Sequence, residues 1–296
     1  MRYNNMVEVR KNVALKSFNT WRTGGNAEYF VEVFSFKQLY SAVAFAKKHG
    51  LKITMLGGGS NVLVANSGVS GLVIKNSLAG LEFKGDLAIV ESGYNLIKLV
   101  KLLQQQEFCD MVWASGIPGS VGGATIGNAG AFLGEMAKHI EWVEVLKNNS
   151  GDIVRLHNDN CLFSYRKSGF SSSDIVVAIA LKKGSCCKQK MEQKRLEYLN
   201  KRKANQPGGF NAGSVFKNPV VTSTASFNNK SAGALIEAVG LKGHAIGGAR
   251  ISDKHANFII NYNNATSCDI EQLIALAKQK VKQKFKIELV EEIRRI

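Results

Sequence analysis

The chain is poor in cysteine, and its five cysteines (Cys109, Cys161, Cys186, Cys187, Cys268) form no Cys-x-x-Cys pair. The number is odd, and the one close pair is adjacent in sequence, a poor geometry for an ordinary bridge. A disulfide framework and a zinc site are therefore not expected, and the thiols read as reduced and structural. No apolar run approaches the roughly 20 residues of a membrane span, and the opening MRYNNMVEVRK lacks the apolar core of a signal peptide. A cytoplasmic chain without membrane insertion is expected. Glycine nowhere precedes lysine, which removes the P-loop, and Gly-x-Gly-x-x-Gly is missing, which removes the dinucleotide Rossmann fingerprint. RNP-like aromatic motifs, zinc-finger spacing and internal repeats are missing too.

What is present is 296 residues with 45% hydrophobic content, enough for two domains or one large one. The formal charge of +16 is spread over helices and loops. It reads as solvated surface that attracts phosphorylated small molecules in preference to a nucleic-acid footprint. Tyr29 to Phe34 alternates as a strand, the following stretch has Phe36, Leu39, Val43 and Ala46 at helical spacing with Gly50 as C-cap, and Leu51 to Leu56 is a strand. This βαβ-like unit runs straight into GGGSNVLV, so Gly57, Gly58, Gly59, Ser60 and Asn61 are expected at a strand end, where α/β proteins put ligands. Short strands at SGLVIK, GLEFKG and LAIVES precede a helix with Leu96, Val100 and Leu103 on one side. HIEWVEVLKNNSGDIVRL, His139 to Leu156, reads as two strands joined by a turn at Asn148 to Gly151, and DIVVAIAL as another strand. From Cys186 to Asn205 the chain is basic and helical, too poor in apolar positions for a buried helix, and a domain boundary is expected near 186. Beyond lie the strand NFIIN and an amphipathic helix striped by Leu273, Ala277, Val281 and Phe285.

The stretch GIPGSVGGATIGNAGAFLGEM, Gly116 to Met136, packs seven glycines among Ile, Val, Phe and Leu. A flexible linker would be polar, so this is buried backbone wrapped closely around something. Two glycine-dense stretches suggest backbone N–H groups approaching a diphosphate, with the Asn61 and Asn128 amides and the Ser60 and Ser120 hydroxyls beside them.

Seven segments in order, NTWRTGGNAEYF, LGGGSNVLV, GIPGSVGGATIGNAGAF, SYRKSGF, AGSVFKNP, AGALIEAVGLKG and GGARISDKHANFIIN, resemble the UDP-N-acetylenolpyruvylglucosamine reductase family of peptidoglycan precursor synthesis. The likeness runs from about Asn19 to the C-terminus. It implies an α+β chain: a two-subdomain FAD-binding fold of the vanillyl-alcohol-oxidase type plus a C-terminal α+β substrate-binding domain. The expected bounds are 1–185 for the FAD-binding region, with subdomains of approximately 1–80 and 81–185, and 186–296 for the substrate domain. FAD would be held non-covalently by Gly57, Gly58, Gly59, Ser60 and Asn61 on one wall and by Gly116, Ile117, Pro118, Gly119, Ser120, Gly122, Gly123, Asn128 and Gly130 on the other. NADPH would be the co-substrate, a UDP-sugar the substrate, and the protein a monomer with no nucleic-acid partner and no metal.

Reduction of an enolpyruvyl double bond needs a hydride donor, a proton donor and stabilisation of the enolate between the two steps. By the resemblance, Ser214 of AGSVFKNP delivers the proton and Arg166 of SYRKS holds the substrate carboxylate. Glu292 of ELVEEIRRI is the third member, with Glu291 adjacent as the alternative. Tyr165, Lys217 and Asn218 are candidates for the UDP-sugar. Relatives carry lysine before Gln-Pro where this chain has Asn205, so Lys203, Arg202 or Lys242 would replace that phosphate contact. The segment between SYRKSGF and AGSVFKNP is short, as in the compact subtype that lacks an inserted tyrosine-bearing loop. His255 reads as structural. Two other readings stand beside this one: an oxidase of the same flavin fold, and a basic nucleic-acid binder.

Overall fold

In the computed structural model, residues 7–147, 150–184, 188–219 and 231–296 are described. Cys186, Cys187, and Asn148 and Asn149 of the expected turn lie outside them, as does the Cys109 side chain. The first elements are β1 (Arg10–Ala14), β2 (Asn26–Val33), α1 (Phe36–Lys48), β3 (Ile53–Leu56), β4 (Val62–Leu63), β5 (Val69–Asn76), β6 (Leu81–Lys84) and β7 (Leu87–Glu91). There follow α2 (Leu96–Gln105), α3 (Val121–Ile126), β8 (Gly130–Ala131), β9 (Gly134–Glu135), β10 (Ile140–Lys147), β11 (Ile153–His157), β12 (Asp174–Lys182) and α4 (Lys188–Asn205). The last are α5 (Ala232–Ala238), β13 (Ala245–Ile246), β14 (Ala249–Ile251), β15 (Ile259–Asn261), α6 (Ser267–Phe285) and β16 (Arg294–Arg295).

The chain divides into two units, one of residues 1–11, 29–58 and 70–202, the other of 12–28, 59–69 and 203–296. In the first unit α1 begins at Ser35, whose side chain accepts from the Gln38 amide, and it buries Leu39, Ala42, Val43 and Ala46. These side chains share a core with Val31, Leu72 and Ile74 of a four-stranded sheet of order β1-β2-β5-β3. A second sheet, β11-β10-β12-β7-β6, is antiparallel at each of its junctions. Its core joins Val90, Ile140, Val143 and Ile179 to Leu96, Leu99 and Leu103 of α2 and Val121 of α3. Helix α4 belongs to this unit: Met191 packs on Val112, and the Tyr198 ring stacks on Phe132 at 4.1 Å and 4°. The division therefore falls in the last turn of α4, after Arg202, and not at the expected 186, with Met191 and Tyr198 packed in the first unit.

The second unit collects one core from three stretches: Trp21 from the first, Leu63 from the second, and Phe216, Leu235, Ile251, Ile259, Leu273 and Ile293 from the third. Trp21 is fully buried and its Nε1 donates to the Ile259 carbonyl at 2.8 Å, while Asn261 Nδ2 donates to the Trp21 carbonyl at 2.8 Å. The NTWRTGG and HANFIIN segments are thus partners in one core. Strand β4 pairs in parallel with β16, and α6 opens with a reciprocal Thr266–Asp269 capping box. Among the described residues no helix is long and apolar enough to cross a membrane.

Candidate active site

In the first unit the two glycine stretches meet. The second is stitched to the loop before α2: Gly122 N donates to Ser92 O at 2.7 Å, Val121 N to Tyr94 O at 2.9 Å, and Leu96 N to Gly119 O at 3.1 Å. Buried Ser120 caps α3 by accepting from Gly123 N at 3.3 Å. A Cβ on Gly57 would stand 2.4 Å from Ser120 Oγ, and one on Gly58 would stand 2.4 Å from Gly119 Cα. Only bare backbone can make that approach, and closely spaced amides without side chains are what a pyrophosphate requires. The residues fit FAD in that respect. Ile117 anchors the loop through its N–H to Ala114 O at 3.0 Å, and Gly116 lies against Leu199 and Arg202 of α4. Pro118 is exposed.

Gly130 and Ala131 pair with Glu135 and Gly134, and the turn between them places Phe132 and Leu133 at φ +49° and +66°. Left-handed backbone at two bulky residues is costly and marks a place the surroundings must hold. Leu133 is 97% exposed, while the Phe132 ring meets both Tyr198 and the Arg202 guanidinium of α4, the latter 5.3 Å from its ring centroid. Burial lowers the Arg202 pKa.

Arg166 stands in a tight turn closed by Ser164 N to Lys167 O at 2.9 Å and the reverse bond at 3.1 Å. Its own φ is +54°, its Nη2 donates to the Gly130 carbonyl at 2.6 Å, and its guanidinium lies 5.2 Å from the Tyr165 ring centroid. Tyr165 is 45% exposed. The structure thus brings the expected arginine onto the expected glycine stretch. Asn128, expected to face the cofactor, instead has its amide engaged within the protein at both ends, to Ser164 O and from Ala137 N.

In the second unit Gly59 lies against the Phe18 carbonyl, and Asn61 Nδ2 donates to the Glu292 carbonyl at 3.0 Å. Ser60 is half-buried. Residues 215–217 run antiparallel to 290–292: Glu292 N donates to Val215 O at 2.8 Å and Lys217 N to Val290 O at 2.9 Å, with Phe216 opposite Glu291. Val215 therefore stands opposite Glu292, with half-buried Ser214 next to it in the chain. The Glu291 carboxylate is held by Lys278 and by Arg295 Nε, the latter at 2.9 Å. Burial pushes its pKa up, but the bonds to Arg295 and Lys278 outweigh that and hold it below the ordinary carboxylate range.

Asn218 Oδ1 accepts from Ala232 N at 3.0 Å, at the start of α5, a structural bond that sequence reasoning missed. Lys242 is paired with Glu237 at 2.8 Å. His255 Nδ1 accepts from Asn257 N at 3.2 Å, its ring lies edge-on to Phe258, and burial lowers its pKa. Each of these contacts suits a neutral, structural imidazole.

Two family models match: an FAD binding domain over residues 27–157, and the C-terminal domain of UDP-N-acetylenolpyruvoylglucosamine reductase over 205–296. The chain is 36% identical over 294 residues to the UDP-N-acetylenolpyruvoylglucosamine reductase of Lactiplantibacillus plantarum, covering 97% of this chain and 93% of that one. It is 37% identical over 288 residues to that of Caldanaerobacter subterraneus subsp. tengcongensis, covering 96% and 92%. The crystal structure of the Thermus caldophilus enzyme of the same name superposes with a TM-score of 0.82 at 32% identity, covering 98% of both chains. The fold is accordingly α+β, an FAD-binding domain followed by the C-terminal domain of that reductase family. With likeness of this extent over both glycine stretches, the arginine turn and the serine–glutamate ladder, the chain is an FAD-dependent oxidoreductase and belongs to the UDP-N-acetylenolpyruvoylglucosamine reductase family.

Proposed function

We propose that the protein reduces the enolpyruvyl double bond of UDP-N-acetylglucosamine enolpyruvate to UDP-N-acetylmuramate, a step in peptidoglycan precursor synthesis, with NADPH as electron source. The observation that carries this reading is the bond from Glu292 N to Val215 O, which brings Glu292 to the chain segment that holds Ser214. FAD, when bound by the bare backbone of Gly57, Gly58, Gly119 and Ser120 with their neighbours to Asn61 and Gly130, supplies the hydride chemistry. Ser214 delivers one proton to the carbon next to the substrate carboxylate; its hydroxyl is a weak acid, so the site must be dry and the enolate basic. Arg166 receives the carboxylate in its guanidinium fork and holds the charge that grows there. Glu292 must be protonated or hydrogen-bonded to stand near that charge without repelling it. Tyr165, Lys217 and Asn218 bind the UDP-sugar, and Lys203, Arg202 or Lys242 takes the place of the lysine expected at Asn205.

The test is the visible absorption spectrum of the purified protein, taken anaerobically before and after NADPH and then with the enolpyruvyl UDP-sugar. Bleaching by NADPH and recovery only on adding that sugar is the expected result. Colour restored at once by admitted oxygen in place of the sugar, or flavin that stays attached after denaturation, would favour an oxidase of the same fold.

A further inference from the structure

We infer that Asn128 is a positioning residue for Arg166, acting through a clamp that locks the arginine turn to the second glycine stretch. The inference rests on the role of Arg166 proposed above. Asn128 is 1% exposed and sits at φ +40°, a backbone region that asparagine tolerates better than other side chains. Its Nδ2 donates to Ser164 O at 3.0 Å, and its Oδ1 accepts from Ala137 N at 3.0 Å. One amide thus fixes both the first residue of the arginine turn and the chain that leaves β9. Two further bonds complete the clamp: Arg166 Nη2 to Gly130 O at 2.6 Å and buried Ser168 Oγ to Ile126 O at 2.7 Å. Residues 126, 128 and 130 therefore hold residues 164, 166 and 168 by three side-chain bonds, all to carbonyl oxygens. Both partners need holding, since Arg166, Phe132 and Leu133 all have positive φ. An arginine that must meet a carboxylate with two parallel bonds is sensitive to displacements of about 1 Å.

The experiment is a double-mutant cycle on the FAD-loaded full chain, with Asn128→Gly, Arg166→Ala and the pair. Glycine keeps the φ and removes both bonds. Asn128→Gly is expected to lower kcat on the order of ten- to a hundredfold with flavin content unchanged, and to add no further loss in the Arg166→Ala background. Asn128→Asp has the same shape and keeps the bond from Ala137, yet it sets a carboxylate against the Ser164 carbonyl; it should be as damaging as glycine. If losses multiply in the pair, or if Asn128→Asp keeps parental kcat, the clamp does not act through Arg166. If Arg166→Ala itself turns over like the parent, the role of Arg166 falls and takes this inference with it, an outcome distinct from multiplying losses. Should Asn128→Gly not fold, Ser168→Ala removes one bond of the same clamp and enters the same cycle.

Discussion

Ser214 is the side chain on which the proposed reaction most depends, because no other group is assigned to deliver the proton. Ser214→Ala should lower kcat by about 10²-fold or more while bound flavin is reduced by NADPH at the parental rate, as stopped-flow absorbance would record. Glu292→Gln should likewise reduce turnover at unchanged stability. Glu291→Gln should do the reverse, since Glu291 is tied to Lys278 and Arg295. The folded-state pKa of Glu291 lies below its unfolded value, so its stabilisation is present above the ordinary carboxylate range and is lost as pH falls through the lowered value. Both cationic partners are about half exposed, which limits the pair to ~1 kcal/mol or less. Urea melts of parent and Glu291→Gln should therefore differ modestly at neutral pH and coincide in acid. Sequence alone left the two glutamates open because they are neighbours of one type. Their division depends on Lys278 and Arg295, which α6 and β16 bring to one side.

The junction of the glycine stretches is set by contact between elements, and it predicts a steric result. Gly58→Ala directs a methyl group at the Gly119 backbone, which cannot rotate away, and should cost about 1–3 kcal/mol with loss of bound flavin. Denaturant melts and the flavin-to-protein absorbance ratio would measure both. Tyr198→Ala removes the stack on Phe132 and should release the end of α4, seen as faster proteolysis within 188–205. Helices α1, α2 and α6 were legible because apolar residues recur at 3.6-residue spacing, and β10 and β12 because apolar runs are bounded by turns. Helix α3 was not legible: it contains Gly122 and Gly123, each unfavourable in a helix by about 1 kcal/mol. It forms because Ser120 caps it and Gly122 N bonds to Ser92. The two-residue strand β16 likewise exists only through its pairing with β4.

Over the whole molecule, a formal charge of +16 should draw in a substrate that carries a diphosphate and a carboxylate. For the enolpyruvyl UDP-sugar, kcat/KM should fall as ionic strength rises from a few millimolar through the physiological range, while kcat changes little. A flat profile would mean that the basic surface does not steer substrate. The sequence by itself determined the family, since seven motifs in order are specific whatever contacts they make, and it located the glycine stretches, the arginine turn and the serine segment. It also determined which helices carry an apolar face, because that property is written in local spacing. Only the tertiary structure decided that residues 12–28 and 59–69 fold with 203–296, that α4 closes the first unit, and that Asn128 binds Ser164 and Ala137. The physical reason is that a core such as that of Trp21, Leu63 and Phe216, and a hydrogen bond between distant residues, arise from chain closure. Local propensity carries no record of which distant partner closure will supply.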